Sequence, residues 1–148
     1  MRRATVKIIL GILVIAIMSL GASRSEALHE YFKSLDINND GKVDLQEFSG
    51  EMKKQVFDEL DADKNKEVTE SEWGSVPDIT EEKEHESVFK KIDRDTDSRI
   101  TFFEFSDYAE SNSNIMKAFM GLDMDKNNLL SPDEVSSRPM FRLITVHF

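Results

Sequence analysis

The chain has 148 residues, with 29 acidic side chains against 19 basic ones and a formal net charge of −10. The length suits one domain with a modest core. The charge argues against a nucleic-acid partner, whose phosphates need a basic surface, and the absence of cysteine excludes disulfides, thiol catalysis and cysteine-ligated zinc.

Residues 1–22 read as a secretory signal. Arg2, Arg3 and Lys7 make a basic start, Ile8 to Leu20 is an apolar run, and Gly21, Ala22 and Ser23 offer small residues for cleavage, most simply after Ala22. The run is shorter than the roughly 20 residues that a membrane-spanning helix needs. The expected mature chain is therefore 23–148, in the secretory-pathway lumen or outside the cell. A membrane partner is expected only if the segment stays uncleaved.

Ala27 to Leu35 reads as a helix, with Leu28, Tyr31, Phe32 and Leu35 on one face. It runs into DINNDGKVDLQE, residues 36–47. Oxygen-bearing side chains hold the first, third, fifth, ninth and twelfth places: Asp36, Asn38, Asp40, Asp44 and Glu47. Gly41 holds the sixth, where the backbone turns sharply, and Lys42 the seventh, where the main-chain carbonyl serves. A hard dication takes six to eight oxygens, and alternate side chains on a folded loop supply them. Beyond the loop, Leu45, Phe48, Met52, Val56 and Leu60 continue one apolar stripe, which predicts a single helix from Leu45 to Leu60.

The pattern returns three times. Loop two, residues 61–72, offers Asp61, Asp63, Asn65, Glu67, Thr69 and Glu72, with Lys66 in the glycine place. Trp73 follows, Pro77 is expected to stop the exiting helix, and Asp78 with Glu81 to cap the next, which runs to Ile92. Loop three, residues 93–104, offers Asp93, Asp95, Asp97, Arg99, Thr101 and Glu104, with Ser98 sixth. The polar stretch Ser111 to Asn114 is expected to be a turn, or a cap for the following helix, Ile115 to Leu122. Loop four, residues 123–134, offers Asp123, Asp125, Asn127, Leu129, Ser131 and Glu134, with Asn128 sixth. Pro139 ends its exiting helix, and the tail 140–148 is rich in apolar residues.

Each copy carries a phenylalanine four residues before its loop (Phe32, Phe57, Phe89 and Phe119), one helical turn back and facing the core. Each has an aliphatic residue in the eighth place, Val43, Val68, Ile100 and Leu130, which suits a short strand. With these residues, the chain resembles secreted EF-hand calcium-binding proteins from Ala27 to about Val135. It is similar to the reticulocalbin and calumenin family and, equally, to small secreted EF-hand proteins. It departs from the former in having four loops and in ending TVHF, without an HDEL-like signal. The resemblance implies an all-α fold of four EF-hand helix–loop–helix units, with short β-bridges between paired loops. It also implies Ca2+ as the ion.

The Leu45–Leu60 helix would be about 24 Å long, with loops one and two at its ends and unable to pair. Loops two and three are therefore expected to pair, with one and four meeting each other. Pairing of one with two and three with four is the alternative, and requires a break near Ser49 and Gly50.

His29, His85 and His147 are scattered and read as surface residues. Met52, Met116, Met120, Met124 and Met140 read as ordinary core ahead of a calcium-dependent target groove. No N-glycosylation acceptor is present. The carboxylates at regular places are accounted for as ligands, so no catalytic pair and no enzyme activity is expected. The expected function is calcium buffering or storage in the secretory pathway. The alternative is a sensor that binds a protein partner through an exposed apolar groove.

Overall fold

A computed structural model describes residues 24–75 and 82–137. It is mostly helical, with one small sheet. In chain order the elements are α1 (Arg24–Leu35), α2 (Leu45–Leu60), β1 (Glu67–Thr69), α3 (Glu70–Trp73), α4 (Glu82–Ile92), β2 (Arg99–Thr101), α5 (Phe102–Asn112), α6 (Ile115–Leu122) and α7 (Pro132–Ser137). Every loop lies between two helices. The signal segment, Pro77, the Asp78/Glu81 cap, Pro139 and the tail lie outside the described residues.

The described chain divides into two compact units. One comprises 24–52 and 114–137, and holds loops one and four. Its core includes Tyr31, Phe32, Leu35, Phe48, Phe119 and Leu122, all buried. The Phe48 and Phe119 rings meet edge to face with centroids 5.6 Å apart, a geometry that adds to their area burial. Val43 and Leu130 form an isolated antiparallel bridge between the two loops.

The other unit comprises 53–113, and holds loops two and three. Strands β1 and β2 pair antiparallel with Val68 opposite Ile100, and both side chains are buried. Phe57 packs on Phe102 and Phe105 at centroid distances of 5.5 and 5.8 Å, and Trp73 on Phe89 at 6.3 Å. Lys53 is nearly buried and forms an ion pair with Glu110 of α5.

Helix α2 contributes to both units. Phe48 and Met52 enter the first core and Val56, Phe57 and Leu60 the second, as expected of an unbroken stripe at four-residue spacing. No break occurs at Gly50. Loops two and three pair, and so do one and four, as the length of this helix required.

Three expectations need correction. The exiting helix of loop two is a single turn and ends at Trp73, where the Gly74 amide donates to Glu70 O at 2.9 Å; it stops before Pro77. Helix α5 runs through Asn112, so Ser111 is helical and only 113–114 connect it to α6. Met52 is core, but Met116, Met120 and Met124 are 59%, 68% and 56% exposed. Met116 and Met120 lie on α6 away from Ile115, Ala118, Phe119 and Leu122, which fill the core, and Met124 is the second residue of loop four, beyond the helix. His29 is on the surface as expected.

Candidate metal centres

The four loops share one hydrogen-bond frame. Its first part is the opening aspartate. Asp36 accepts from the amides of Asp40 and Gly41 at 3.0 and 2.9 Å. Asp61 does the same for Asn65 and Lys66 at 3.1 and 2.8 Å, Asp93 for Asp97 and Ser98 at 3.2 and 3.0 Å, and Asp123 for Asn127 and Asn128 at 3.1 and 2.9 Å. These side chains are all buried. A carboxylate taken from water needs such donors, and here they are the amides of the fifth and sixth places.

The second part is the closing glutamate. One oxygen reaches back to amides at the loop's beginning: Glu47 to Asn38 at 3.1 Å, Glu72 to Ala62 at 3.0 Å, Glu104 to Arg94 at 3.0 Å, and Glu134 to Met124 at 2.8 Å. The other oxygen accepts from the ninth amide, of Asp44, Thr69, Thr101 or Ser131, at 2.9–3.0 Å. The ninth side chain in turn accepts from the glutamate's own amide. The ninth and twelfth places are thus the N-cap and third residue of the exiting helix, joined as a capping box. The sequence signal for this, Ser or Thr followed three places on by Glu, is present in loops two to four, at residues that also hold ligand places.

The backbone explains the sixth place and reveals the fourth. Gly41, Lys66, Ser98 and Asn128 all have positive φ, from 64° to 83°. So do Asn39, Lys64, Thr96 and Lys126 in the fourth place, at 57° to 61°. Two left-handed residues bend the loop so that alternate side chains point to one centre. Only Asn39 announces this in sequence, since asparagine tolerates that region.

The bend gathers carboxylates. Oxygens of Asp61, Asp63 and Glu72 all lie within 4.8 Å of one another; so do those of Asp93, Asp95 and Asp97, and those of Asp123, Asp125 and Glu134. Oxygens around one calcium ion at its usual 2.3–2.6 Å lie at about such spacings or closer, so these residues fit the ion. Glu104 closes loop three through its amide bonds and is not within that loop's group. Among the described residues loop one has no such group. Each of the three gathered groups has Asp in the third place, where loop one has the neutral Asn38; its Nδ2 donates to Asp40 Oδ2 at 3.2 Å. Asn65 and Asn127, in the fifth place, likewise donate to the aspartate of the third.

Of the seventh-place residues, Lys42, Glu67, Arg99 and Leu129, each amide bonds to the fifth side chain. The Arg99 guanidinium also pairs with the Glu67 carboxylate across the two strands.

The acidity of the groups follows the frame. The Thr69 amide and hydroxyl hold Glu72 below the usual carboxylate range, and the Ser131 amide does the same for Glu134. At Glu104 burial acts upward, but hydrogen bonds from Thr101 and Arg94 outweigh it and the carboxyl is lowered. At Asp95 the Asp97 amide bond acts downward, yet desolvation and the charges of Asp97, Glu104 and Asp93 prevail and raise it. Glu72, Glu104 and Glu134 are thus stabilised as anions, while Asp95 lies in a negative field that a cation would relieve.

Comparison with known proteins agrees with this geometry. Residues 28–53, which contain loop one and its flanking helical segments, match the EF hand family. Calcium-binding protein LPS1-alpha of Lytechinus pictus is 27% identical over 124 residues, which are 80% of this chain and 32% of that protein. Mitochondrial substrate carrier family protein C of Dictyostelium discoideum is 33% identical over 98 residues, 62% of this chain and 20% of that protein. The chain thus spans about a third or less of the length of these relatives. The EF-hand match and the donor sets together support calcium as the ion.

Proposed function

We propose that this protein reversibly binds calcium through four EF-hand loops and catalyses no reaction. The observation that carries the proposal is the convergence of carboxylates to within 4.8 Å in three loops, each loop bent by the same amides and closed by the same glutamate. The ligands are the side chains of Asp36, Asn38, Asp40, Asp44 and Glu47 and their counterparts in the other loops, with the main-chain carbonyls of Lys42, Glu67, Arg99 and Leu129. The shared frame and the EF-hand match support loop one as a site beside the three gathered loops. The resemblance of LPS1-alpha, by name a calcium-binding protein, points the same way.

The place of action is the secretory pathway, as a buffer or store. The basic start, apolar run and small residues of 1–22 support it. Among the described residues no helix is long and apolar enough to cross a membrane. N-terminal sequencing of the mature protein should give Ser23 first; an intact Met1 would reject cleavage and with it the released form.

Calorimetric titration tests the binding. It should resolve up to four sites, and Glu72→Gln, Glu104→Gln and Glu134→Gln should each weaken or remove one. Heat indistinguishable from dilution, with the helical content intact, would overturn the proposal. A sensor is the second reading, favoured by the exposure of Met116, Met120 and Met124, since calcium sensors bind targets through methionine-rich surfaces. Calcium-dependent binding of a hydrophobic dye separates it from a buffer, which should show little change.

A further inference from the structure

The fifth and sixth places of the four loops are Asp40–Gly41, Asn65–Lys66, Asp97–Ser98 and Asn127–Asn128. An aspartate can close a ring with the residue after it, because its carboxyl carbon lies within reach of the next main-chain nitrogen. A Cβ on that next residue obstructs the approach, and glycine has none. Asp40–Gly41 is the one Asp–Gly pair in the chain, which has no Asn–Gly pair. Both residues are exposed, so water reaches them. The loop frame engages both reacting groups elsewhere. The Gly41 amide donates to Asp36 Oδ2 at 2.9 Å. The Asp40 carboxylate accepts from the Lys42 amide at 2.9 Å and from Asn38 Nδ2 at 3.2 Å.

We infer that Asp40 is a site of spontaneous covalent modification, converted to isoaspartate through a cyclic imide, and that the hydrogen-bond frame of loop one restrains the reaction. In the first step the Gly41 nitrogen bonds to Asp40 Cγ. The amide proton, a carboxyl oxygen and a second proton leave as water. In the second step water opens the ring. Breaking the bond from Gly41 N to the Asp40 main-chain carbonyl carbon leaves the chain running through Cγ, which is isoaspartate. The two steps release and consume one water, and nothing is oxidised or reduced. Both steps need Gly41 N–H to leave Asp36 and the Asp40 carboxyl to leave Lys42 and Asn38, so the closed loop is slow and the opened loop fast. The product has one more main-chain carbon and a side chain shorter by one. It therefore cannot keep the Gly41 amide on Asp36, and it displaces the carboxylate proposed as the fifth-place ligand. The restraining bonds join protein groups, so the restraint is separate from calcium binding, which the calorimetric titration decides.

Incubation of the full chain for weeks at neutral pH tests the inference. The readout is peptide mass spectrometry after digestion by a protease that cleaves before aspartate but not before isoaspartate. In the native chain with millimolar calcium, Asp40 should convert at least about tenfold more slowly than in concentrated guanidinium chloride, since it reacts only from the opened loop. In guanidinium chloride Asp40 should convert at least about fivefold faster than Asp97, whose Ser98 carries the obstructing Cβ. Equal Asp40 rates in the native and unfolded chains would overturn the restraint, and an Asp97 as fast as Asp40 would overturn the choice of site. Asp36→Ala removes the acceptor of the Gly41 amide. With helical content intact by circular dichroism, it should raise the native Asp40 rate at least about threefold, because the loop opens more often, and leave Asp97 slow. An Asp40 rate unmoved in that folded variant would overturn the role of the frame. The comparison of native and unfolded wild type decides even if the variant does not fold.

Discussion

Val43 and Leu130 exchange both of their backbone hydrogen bonds: the Val43 amide donates to Leu130 O at 2.9 Å and the Leu130 amide to Val43 O at 2.8 Å. Both are eighth-place residues and both side chains are fully buried. They make loops one and four partners, although two other loops lie between them in sequence.

If the bridge transmits order from one loop to its partner, Glu134→Gln should weaken calcium binding at loop one as well as at loop four. The expected loss at loop one is about fivefold, the low end of typical coupling between sites. The Gly41 amide, followed by NMR, reports loop one, and the Ser98 amide reports loop three. A Gly41 titration unchanged by the substitution would show that the bridge is only structural. A Ser98 titration that moved as much would show that the coupling ignores the pairing.

Calcium should raise the melting temperature strongly. Each loop gathers carboxylates that repel one another until a cation neutralises them. At a hundred times the dissociation constant, one site adds about 2.7 kcal/mol, enough to shift a unit of this size by roughly 10 °C or more. Calorimetric scans with chelator and with millimolar calcium measure it, and coincident scans would reject functional loops.

Thr96 is β-branched and sits at φ 61°, a region that costs such a residue roughly 1–2 kcal/mol. Thr96→Asn or Thr96→Gly should therefore stabilise the calcium-free protein by about 1 kcal/mol. Its hydroxyl donates to the carbonyl of the neighbouring Asp95, a local bond whose loss costs little. Urea unfolding in chelator gives the value. A destabilised Thr96→Gly would mean that the added freedom of the unfolded chain outweighs the strain relieved.

Loop two should be the last to fill, since Lys66 combines a positive φ of 73° with a positive charge. Trp73 follows the closing Glu72 and is buried, so terbium in loop two should emit by energy transfer from it. The emission should appear late in a terbium titration of the native chain and early after Lys66→Gly. Strong emission at the first equivalent, abolished by Glu72→Gln but not by Glu47→Gln, would reverse the ranking.

Much of this organisation is legible in the residues because it is periodic. Phe48, Met52, Val56 and Leu60 at four-residue spacing dictate one helix, and its length rules out pairing of loops one and two. The sixth-place turn is announced by Gly41 and repeats by homology of position. The fourth-place turn is not, because Lys64, Thr96 and Lys126 have no preference for left-handed backbone; closure of the loop imposes it. The single turn of α3 is not legible because Pro77 is the louder signal, whereas Gly74 caps the helix through one amide. The exposure of Met116 and Met120 escapes the sequence for a different reason. Helix α6 is apolar on both sides, and composition alone cannot tell which side meets the core.

The unit of loops two and three is built from a continuous stretch, 53–113, whereas the unit of loops one and four is completed by 114–137. During synthesis, which runs from the N-terminus, Val43 and Phe48 must wait for Phe119 and Leu130 to be made. The intervening stretch can meanwhile close its own short-range contacts. Contacts between segments far apart in sequence also form more slowly, because a longer loop must be closed to make them. Loop one is thus the first site to be synthesised and among the last to be finished. Until then its half-built core, with Phe32 and Phe48 lacking their partners, is the part of the nascent chain most in need of protection from aggregation.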